Sequence, residues 1–245
     1  MNNSKNVVDV DYIKDLVLRE GLSREVADIL SNCMSKDLFE RRPPFGYFSF
    51  LCGLVRHEKL YRILEIGTGM CCSILSMYRG IRENERPRSE VVTVDIVTKN
   101  SRLFKPFPDV KRIEGDALAS NIIKEVKRSF ARDVDIIFID AEHTYGYVKR
   151  CISVYANTLR PKYLVLDDIH FNSGMERLWR EIETEFNGRT QELTKALGRG
   201  SCGIGLIEWD RKHRPNWEHS GFFQWQSERL LVALKNLIKK SSSIQ

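Results

Sequence analysis

From residue 62 onward, short apolar runs alternate with stretches of helical periodicity, and no other feature of the chain restricts its fold so tightly. The apolar runs fall at 62–66, 91–94, 110–113, 134–139 and 163–166. Unbroken apolar character is what a strand covered on both faces requires, because both sets of alternating side chains are then buried. Between the runs the spacing becomes helical. A helix is expected from about Cys72. Val148, Cys151, Ile152 and Tyr155 fall at i, i+3, i+4 and i+7, before Pro161 ends the pattern. Met175, Leu178, Trp179, Ile182 and Phe186 repeat it and are closed by Gly188. Such alternation predicts an α/β fold, a doubly wound and mostly parallel sheet with helices on both faces. Two last runs, 190–196 and 202–209, lie close together across Leu197-Gly-Arg-Gly-Ser201, a spacing that suits an antiparallel hairpin at one sheet edge. The expected sheet therefore has seven strands.

Helices flank this core at both ends. Tyr12, Ile13, Leu16 and Val17 share one helical face, Gly21 stops that helix, and Ser23 can cap the next. Val26, Leu30, Cys33, Met34 and Leu38 continue at helical spacing until Arg41-Arg-Pro-Pro44 breaks it. The aromatic stretch 45–55 reads as a further short helix. Leu230, Leu231, Leu234, Leu237 and Ile238 form an apolar stripe near the C-terminus, either packed on the domain or serving as a dimer contact or lid. The expected organisation is a helical cap over 1–58, a ligand-binding domain over 59–210 and a helical extension over 211–245, with a homodimer through the terminal helices as one assembly.

Composition narrows the function classes. With 42% apolar and 29% charged residues the chain is an ordinary globular protein, neither fibrous nor disordered. No apolar run approaches the ~18 residues of a membrane helix. Met1-Asn2-Asn3-Ser4-Lys5-Asn6 lacks the apolar core of a signal peptide, so a cytoplasmic location is expected. Six cysteines without C-x-x-C spacing offer no zinc pattern and read as reduced thiols. The net charge of +6 invites a nucleic-acid reading, yet most basic residues sit among acids, and a mildly basic surface without nucleic-acid function is expected.

The segment Leu64-Glu-Ile-Gly-Thr-Gly-Met-Cys-Cys-Ser-Ile-Leu75 is a strand, a glycine-bearing turn and a helix start. In an open parallel sheet the ligand sits at the carboxyl ends of the strands. Gly67 and Gly69 allow close backbone approach, and the helix N-terminus offers N–H groups to an anion. A dinucleotide loop would place a third glycine where Cys72 stands, and Glu65 would repel a pyrophosphate. Glu65 suits a ligand carrying an ammonium group and a single carboxylate. Asp95 ends the next strand, where a carboxylate can chelate ribose hydroxyls, and Gly115-Asp116-Ala117 follows the strand after it, with Asp116 as an adenine amino-group acceptor.

These motifs resemble those of class I S-adenosylmethionine-dependent methyltransferases, over residues 60 to about 210. The resemblance implies a Rossmann-like methyltransferase fold and a cofactor held by Glu65, Gly67, Thr68, Gly69, Cys71 and Ser73 in the loop and helix start, and by Asp95, Gly115, Asp116, Ala117 and Asp140 beyond it. Cys71 stands where the family usually has a third glycine.

A second set of polar residues follows the fourth and fifth runs: Asp135-Ile-Ile-Phe-Ile-Asp140-Ala-Glu-His143-Thr-Tyr145, and Leu164-Val-Leu-Asp167-Asp168-Ile-His170. Converging carboxylates repel unless a cation or proton intervenes, and three oxygen ligands suit Mg²⁺. The pattern is similar to that of metal-dependent O-methyltransferases, and in its Asp-Asp form to the macrocin-type and cephalosporin-hydroxylase-like group. It implies Asp140, Asp167 and Asp168 as Mg²⁺ ligands, and His143, Asp140 and Asp168 as catalytic residues. Other readings of the same side chains stay open: Asp140 closes the cofactor pocket, Asp167 caps a helix, His143 is a general base or only starts the following helix, His170 is a metal-site neighbour or a surface residue, and Tyr145 and Tyr147 line the pocket or pack rather than do chemistry. The expected activity is O-methylation of a small-molecule hydroxyl in a sugar, polyketide or phenol. RNA or protein methylation and a catalytically silent binding role are the alternatives.

Overall fold

The computed structural model describes residues 7–40, 45–82, 88–97, 101–198, 200 and 202–209. The expected C-terminal helix and the break at Arg41-Arg-Pro-Pro44 lie outside the described residues.

Four helices open the chain: α1 (Val10–Arg19), α2 (Leu22–Cys33), α3 (Lys36–Glu40) and α4 (Tyr47–Glu58). The Asp9 side chain accepts a hydrogen bond from the Tyr12 N–H and so caps α1. Ser23 does not cap α2. Gly21 precedes that helix in the left-handed region (φ 71°), where a residue without Cβ meets no strain, and Ser23 falls inside the first turn. Tyr12, expected on the buried face of α1, is exposed and lays its ring against His57. Leu38 is likewise exposed on α3.

The sheet strands are β1 (Arg62–Ile66), β2 (Glu90–Asp95), β3 (Val110–Glu114), β4 (Ile136–Ile139), β5 (Tyr163–Asp167), β6 (Thr190–Glu192) and β7 (Ile204–Glu208). Their spatial order is β3-β2-β1-β4-β5-β7-β6. The first five run parallel, and β7 is antiparallel to both β5 and β6. The doubly wound, mostly parallel seven-stranded sheet with an antiparallel hairpin is therefore present, with β7 rather than β6 joining the parallel strands. β4 starts later than the apolar run because Asp135 is drawn into a different task. Its carboxylate accepts the N–H groups of Tyr61 and Arg62 at 2.9 Å each and the Arg62 guanidinium at 2.7 Å, fastening the amino ends of β1 and β4 together.

Alternation along each strand divides the core in two. Ile63, Val91, Ile136 and Val165 face α1, α2, α4 and the loop-borne helix α5 (Cys72–Gly80), so the N-terminal helices complete one side of the sheet. Leu64, Val92, Ile137 and Leu164 face the other side, covered by α6 (Ser120–Arg128), α7 (Tyr145–Cys151) and α9 (Ser173–Glu185). Helix α6 has no counterpart among the expected elements, because only Ile122 and Val126 are buried on it. The helical run through Val148 and Tyr155 is also less regular than its spacing implies: α7 gives way to a π-helical segment at Ile152–Ala156, then a short α8 (Asn157–Leu159). Such π segments recur near functional sites. No helix among the described residues is long and apolar enough to cross a membrane.

Candidate active site

The carboxyl ends of β1, β2 and β4 surround a cavity of about 230 Å³. Ile66 and Gly67 from β1, Asp95 and Ile96 from β2, Gly115 and Ala117 after β3, and Asp140, Glu142 and Tyr147 after β4 contribute to its walls. Gly67 is irreplaceable in this turn. It has φ +96°, and a Cβ there would lie 1.9 Å from the Asp140 carbonyl oxygen. Gly69 also has positive φ (+48°), but a Cβ on it would meet nothing within 4 Å, so its side of the loop is open to a ligand. The Gly69 N–H donates to Asp95 Oδ2 at 2.9 Å, and the Asp95 main-chain carbonyl accepts the Gly115 N–H at 2.8 Å. Asp95 thus pins the glycine loop on one side and the Gly115 turn on the other, and a carboxylate has acceptor capacity beyond these bonds.

Of the residues the sequence assigns to the cofactor, Gly67, Gly69, Asp95, Gly115, Ala117 and Asp140 line the cavity, and Glu65, Thr68, Cys71, Ser73 and Asp116 do not. Glu65 is fully buried. Ser73 donates to one of its carboxylate oxygens and Thr93 to the other (2.5 Å), while the Thr68 hydroxyl lies 2.6 Å from that of Thr93. Burial pushes the Glu65 carboxyl up to about 8, against these two hydroxyl donors, which act in the opposite direction. The result is a polar knot joining β1, β2, the loop and the first turn of α5. Cys71 occupies the left-handed N-cap position of α5 (φ 70°) and is fully buried. Asp116 spends one carboxylate oxygen on the Leu118 N–H at 2.9 Å.

The sequence did not single out Ile96 or Glu142 as cavity walls. Ile96 is 67% exposed immediately after the β2 acid, an apolar side chain in water at a strand end, and that position was its available signal. The π segment holds a second unanticipated contact: the buried Tyr155 hydroxyl donates to the Ala117 carbonyl at 2.5 Å, bracing the cavity wall from beneath.

Beside this cavity, His143 Nε2 lies 3.6 Å from Asp140 Oδ1 and 3.4 Å from Asp168 Oδ2. At these separations the contacts are electrostatic rather than good hydrogen bonds. Glu142 and Asp168 both adopt positive φ (50° and 56°), conformations that side-chain-bearing residues hold only when the surroundings enforce them. Asn172 fixes the His143 main chain by donating Nδ2–H to its carbonyl at 2.8 Å, and with Oδ1 it caps α9 through the Met175 N–H. Phe171, 58% exposed, sets its ring 5.4 Å from the His143 ring. His170 turns away to Glu192 at 3.1 Å, and Tyr145 binds Glu181 and Lys149.

The three carboxylates expected to hold Mg²⁺ do not form one donor set. Asp140 and Asp168 both flank the His143 imidazole, and Asp167 is buried at the end of β5, where its main chain pairs with Ile204. Among the described residues no group of three His, Cys, Asp or Glu side chains is arranged to hold a metal ion. The donor set does not fit the expected Mg²⁺ site.

Strand order, glycine loop and strand-end acid make a Rossmann-like fold whose ligand end is this cavity. Residues 64–169 match the family model described as a methyltransferase domain. No curated protein matches the sequence significantly. Among solved structures the fold is similar to the O-methyltransferase from Bacillus cereus in complex with S-adenosylhomocysteine, at 18% identity and a TM-score of 0.53, covering 82% of this chain and 96% of that one. It is similar also to the O-methyltransferase TomG from Streptomyces achromogenes, involved in tomaymycin synthesis and solved with S-adenosylmethionine, at 19% identity and a TM-score of 0.52, covering 77% and 89%. Identities this low speak for the fold.

Proposed function

We propose that the protein transfers the methyl group of S-adenosylmethionine to a hydroxyl oxygen of a small molecule, with His143 accepting the hydroxyl proton. The observation that carries this reading is the double position of Asp140, which lines the cavity and stands 3.6 Å from His143 Nε2, so that cofactor pocket and proton acceptor adjoin.

S-adenosylmethionine supplies, when bound, a sulfonium methyl that needs no covalent activation by the protein. The chain's work is then alignment and proton removal. Asp95 offers remaining lone pairs to ribose hydroxyls, Ile66, Val94 and Ile96 provide apolar surface for the base, and the open side of Gly69 leaves room for the rest of the ligand. His143 Nε2 takes the acceptor proton, and the imidazolium so formed sits between two carboxylates. The exposed apolar side chains of Met70 and Phe171 near these loops suit an organic acceptor. Asp95, Asp140 and Glu142 make the charged part of the cavity wall acidic, which disfavours a polyanion such as RNA despite the net charge of +6.

The test combines calorimetry with S-adenosylhomocysteine and labelled-methyl transfer to a panel of hydroxyl compounds. His143→Ala should lower kcat by about 10²–10⁴-fold, the usual worth of a positioned general base, with ligand binding intact. A chelator should leave turnover unchanged. No heat with the ligand would end the methyltransferase reading, and chelator-sensitive turnover would restore the metal.

A further inference from the structure

The place of the His143 imidazole is set more by its main chain than by its ring. The ring contacts, 3.6 Å to Asp140 Oδ1 and 3.4 Å to Asp168 Oδ2, are too long to fix an orientation. Glu142, the residue before it, stands in the left-handed region (φ 50°), where a side-chain-bearing residue stays only under constraint. The turn is anchored at one end by the Asp140 N–H, which donates to the Ile66 carbonyl at 2.8 Å. At the other end α7 begins, with the Val148 N–H donating to the Thr144 carbonyl at 3.1 Å. Between these anchors the His143 carbonyl accepts the Asn172 Nδ2–H at 2.8 Å.

Asn172 is itself held firmly. Its Oδ1 accepts the Met175 N–H at 3.0 Å, so the other end of the amide is the donor that a carbonyl requires. Its main-chain carbonyl accepts the Glu176 N–H at 3.0 Å, which makes it the N-cap of the 13-residue helix α9. A Cβ on Gly174 would stand 3.1 Å from Asn172 Oδ1 and 3.4 Å from Tyr145 Cβ, so glycine there lets the start of α9 lie against the start of α7. Further along, the Tyr145 hydroxyl and the Lys149 ammonium both donate to Glu181 Oε2 at 2.8 Å and fasten the two helices together. A braced pair of helices thus presents one N–H to the carbonyl of the proposed base.

We propose that Asn172 is a positioning residue: through the His143 main chain it sets where the imidazole stands at the cavity edge, and so controls the rate of methyl transfer while leaving the cofactor pocket untouched. The rate half rests on the proposed function; the positioning half does not.

The two duties of Asn172 can be separated chemically. Serine and aspartate are N-caps as good as asparagine, so both keep the bond from the Met175 N–H. Neither serves the His143 carbonyl: the serine hydroxyl ends one bond short of the amide nitrogen, and a carboxylate offers only acceptors. Asn172 is exposed, so water takes the place of the lost donor and no buried polar atom is left unpaired. Without that donor, relaxation of the left-handed Glu142 carries the ring with it.

The experiment compares the parent with Asn172→Ser and Asn172→Asp. It measures the histidine ring C–H resonances by NMR, the urea midpoint, S-adenosylhomocysteine affinity by calorimetry, and kcat and KM with phenol, catechol and methyl glucoside as acceptors. His143→Ala identifies the His143 signal among the five histidines. Both Asn172 variants should keep the parent's midpoint and affinity, because Asn172 is not part of the cavity wall. The His143 signal should shift while that of His57, in α4, stays. kcat should fall about 10- to 100-fold with KM for S-adenosylmethionine unchanged, the scale of a misplacement approaching 1 Å. In a His143→Ala background Asn172→Ser should have no further effect, since the two residues act as a unit. An unmoved His143 signal overturns the proposal, as does an unchanged kcat or an equal loss in the His143→Ala background. Should the parent give no heat with S-adenosylhomocysteine, the methyltransferase reading fails, and the His143 signal alone decides the positioning.

Discussion

Glu65→Gln is the substitution that best probes the knot under the glycine loop. The fully buried carboxyl of Glu65 is raised from the ordinary 4.5 to about 8 by burial. Between those values the native state holds a proton that the unfolded chain has lost. The stability contributed by that proton is complete below pH 4.5 and disappears as pH rises through about 8. At ~1.4 kcal/mol per pH unit, the whole change is about 5 kcal/mol. Glutamine resembles the protonated acid: its carbonyl accepts one hydroxyl, and its amide donates to the other once Ser73 or Thr93 reorients. The variant should therefore match the parent within about 1 kcal/mol near pH 5, as for an exchange of one satisfied hydrogen bond for another. It should exceed the parent by about 3–5 kcal/mol near pH 8.5, since it carries no ionisable group there. Urea unfolding at a series of pH values, followed by tryptophan fluorescence and extrapolated linearly, measures this directly. Comparing the two proteins cancels the titration of every other group. If the difference stays within about 1 kcal/mol from pH 5 to 8.5, Glu65 is ionised in the native state and the burial argument fails.

Two further perturbations address the cavity walls. Asp95→Ala removes the acceptor of the Gly69 N–H as well as the expected ribose contact, and should weaken S-adenosylhomocysteine binding by about 1.5–3 kcal/mol, roughly 10- to 100-fold, in calorimetry. An unchanged affinity would show that the ligand does not use the end of β2. Tyr155→Phe removes the hydroxyl that satisfies the buried Ala117 carbonyl and should cost about 1–3 kcal/mol of stability in a urea titration, with a parallel loss of affinity for adenosine itself. A stability loss without any loss of affinity would make the π segment a purely structural feature.

Most of the fold could be read from the chain because a doubly covered parallel strand has an unmistakable apolar signature. β1 begins and ends where its run does, and β2, β3 and β5 differ from theirs by a residue at the ends. The elements that were missed or blurred owe their form to contacts the spacing does not carry. Helix α6 presents too few apolar residues to register, and the π turn at Ile152–Ala156 keeps the apolar residues of a regular helix while changing their phase. At the N-terminus the choice between Gly21 and Ser23 was decided by backbone conformation, because a left-handed residue had to precede α2.

The site was legible in proportion to how far its residues act through the main chain. Strand ends are set by topology, so Asp95, Asp140 and Asp168 arrive together at one end of the sheet once the strand order is fixed. What each side chain does there depends on neighbours from distant segments. Glu65 stands at the strand position expected of it, yet Ser73 and Thr93 turn its carboxylate inward, away from the cavity. Asp167 and Asp168 are adjacent in sequence, but the positive φ of Asp168 sends it toward His143 while Asp167 stays in the strand. Two of the three carboxylates expected to hold a metal thereby become, in three dimensions, one buried acid and one partner of an imidazole. That change moves the proposed chemistry from the metal to His143.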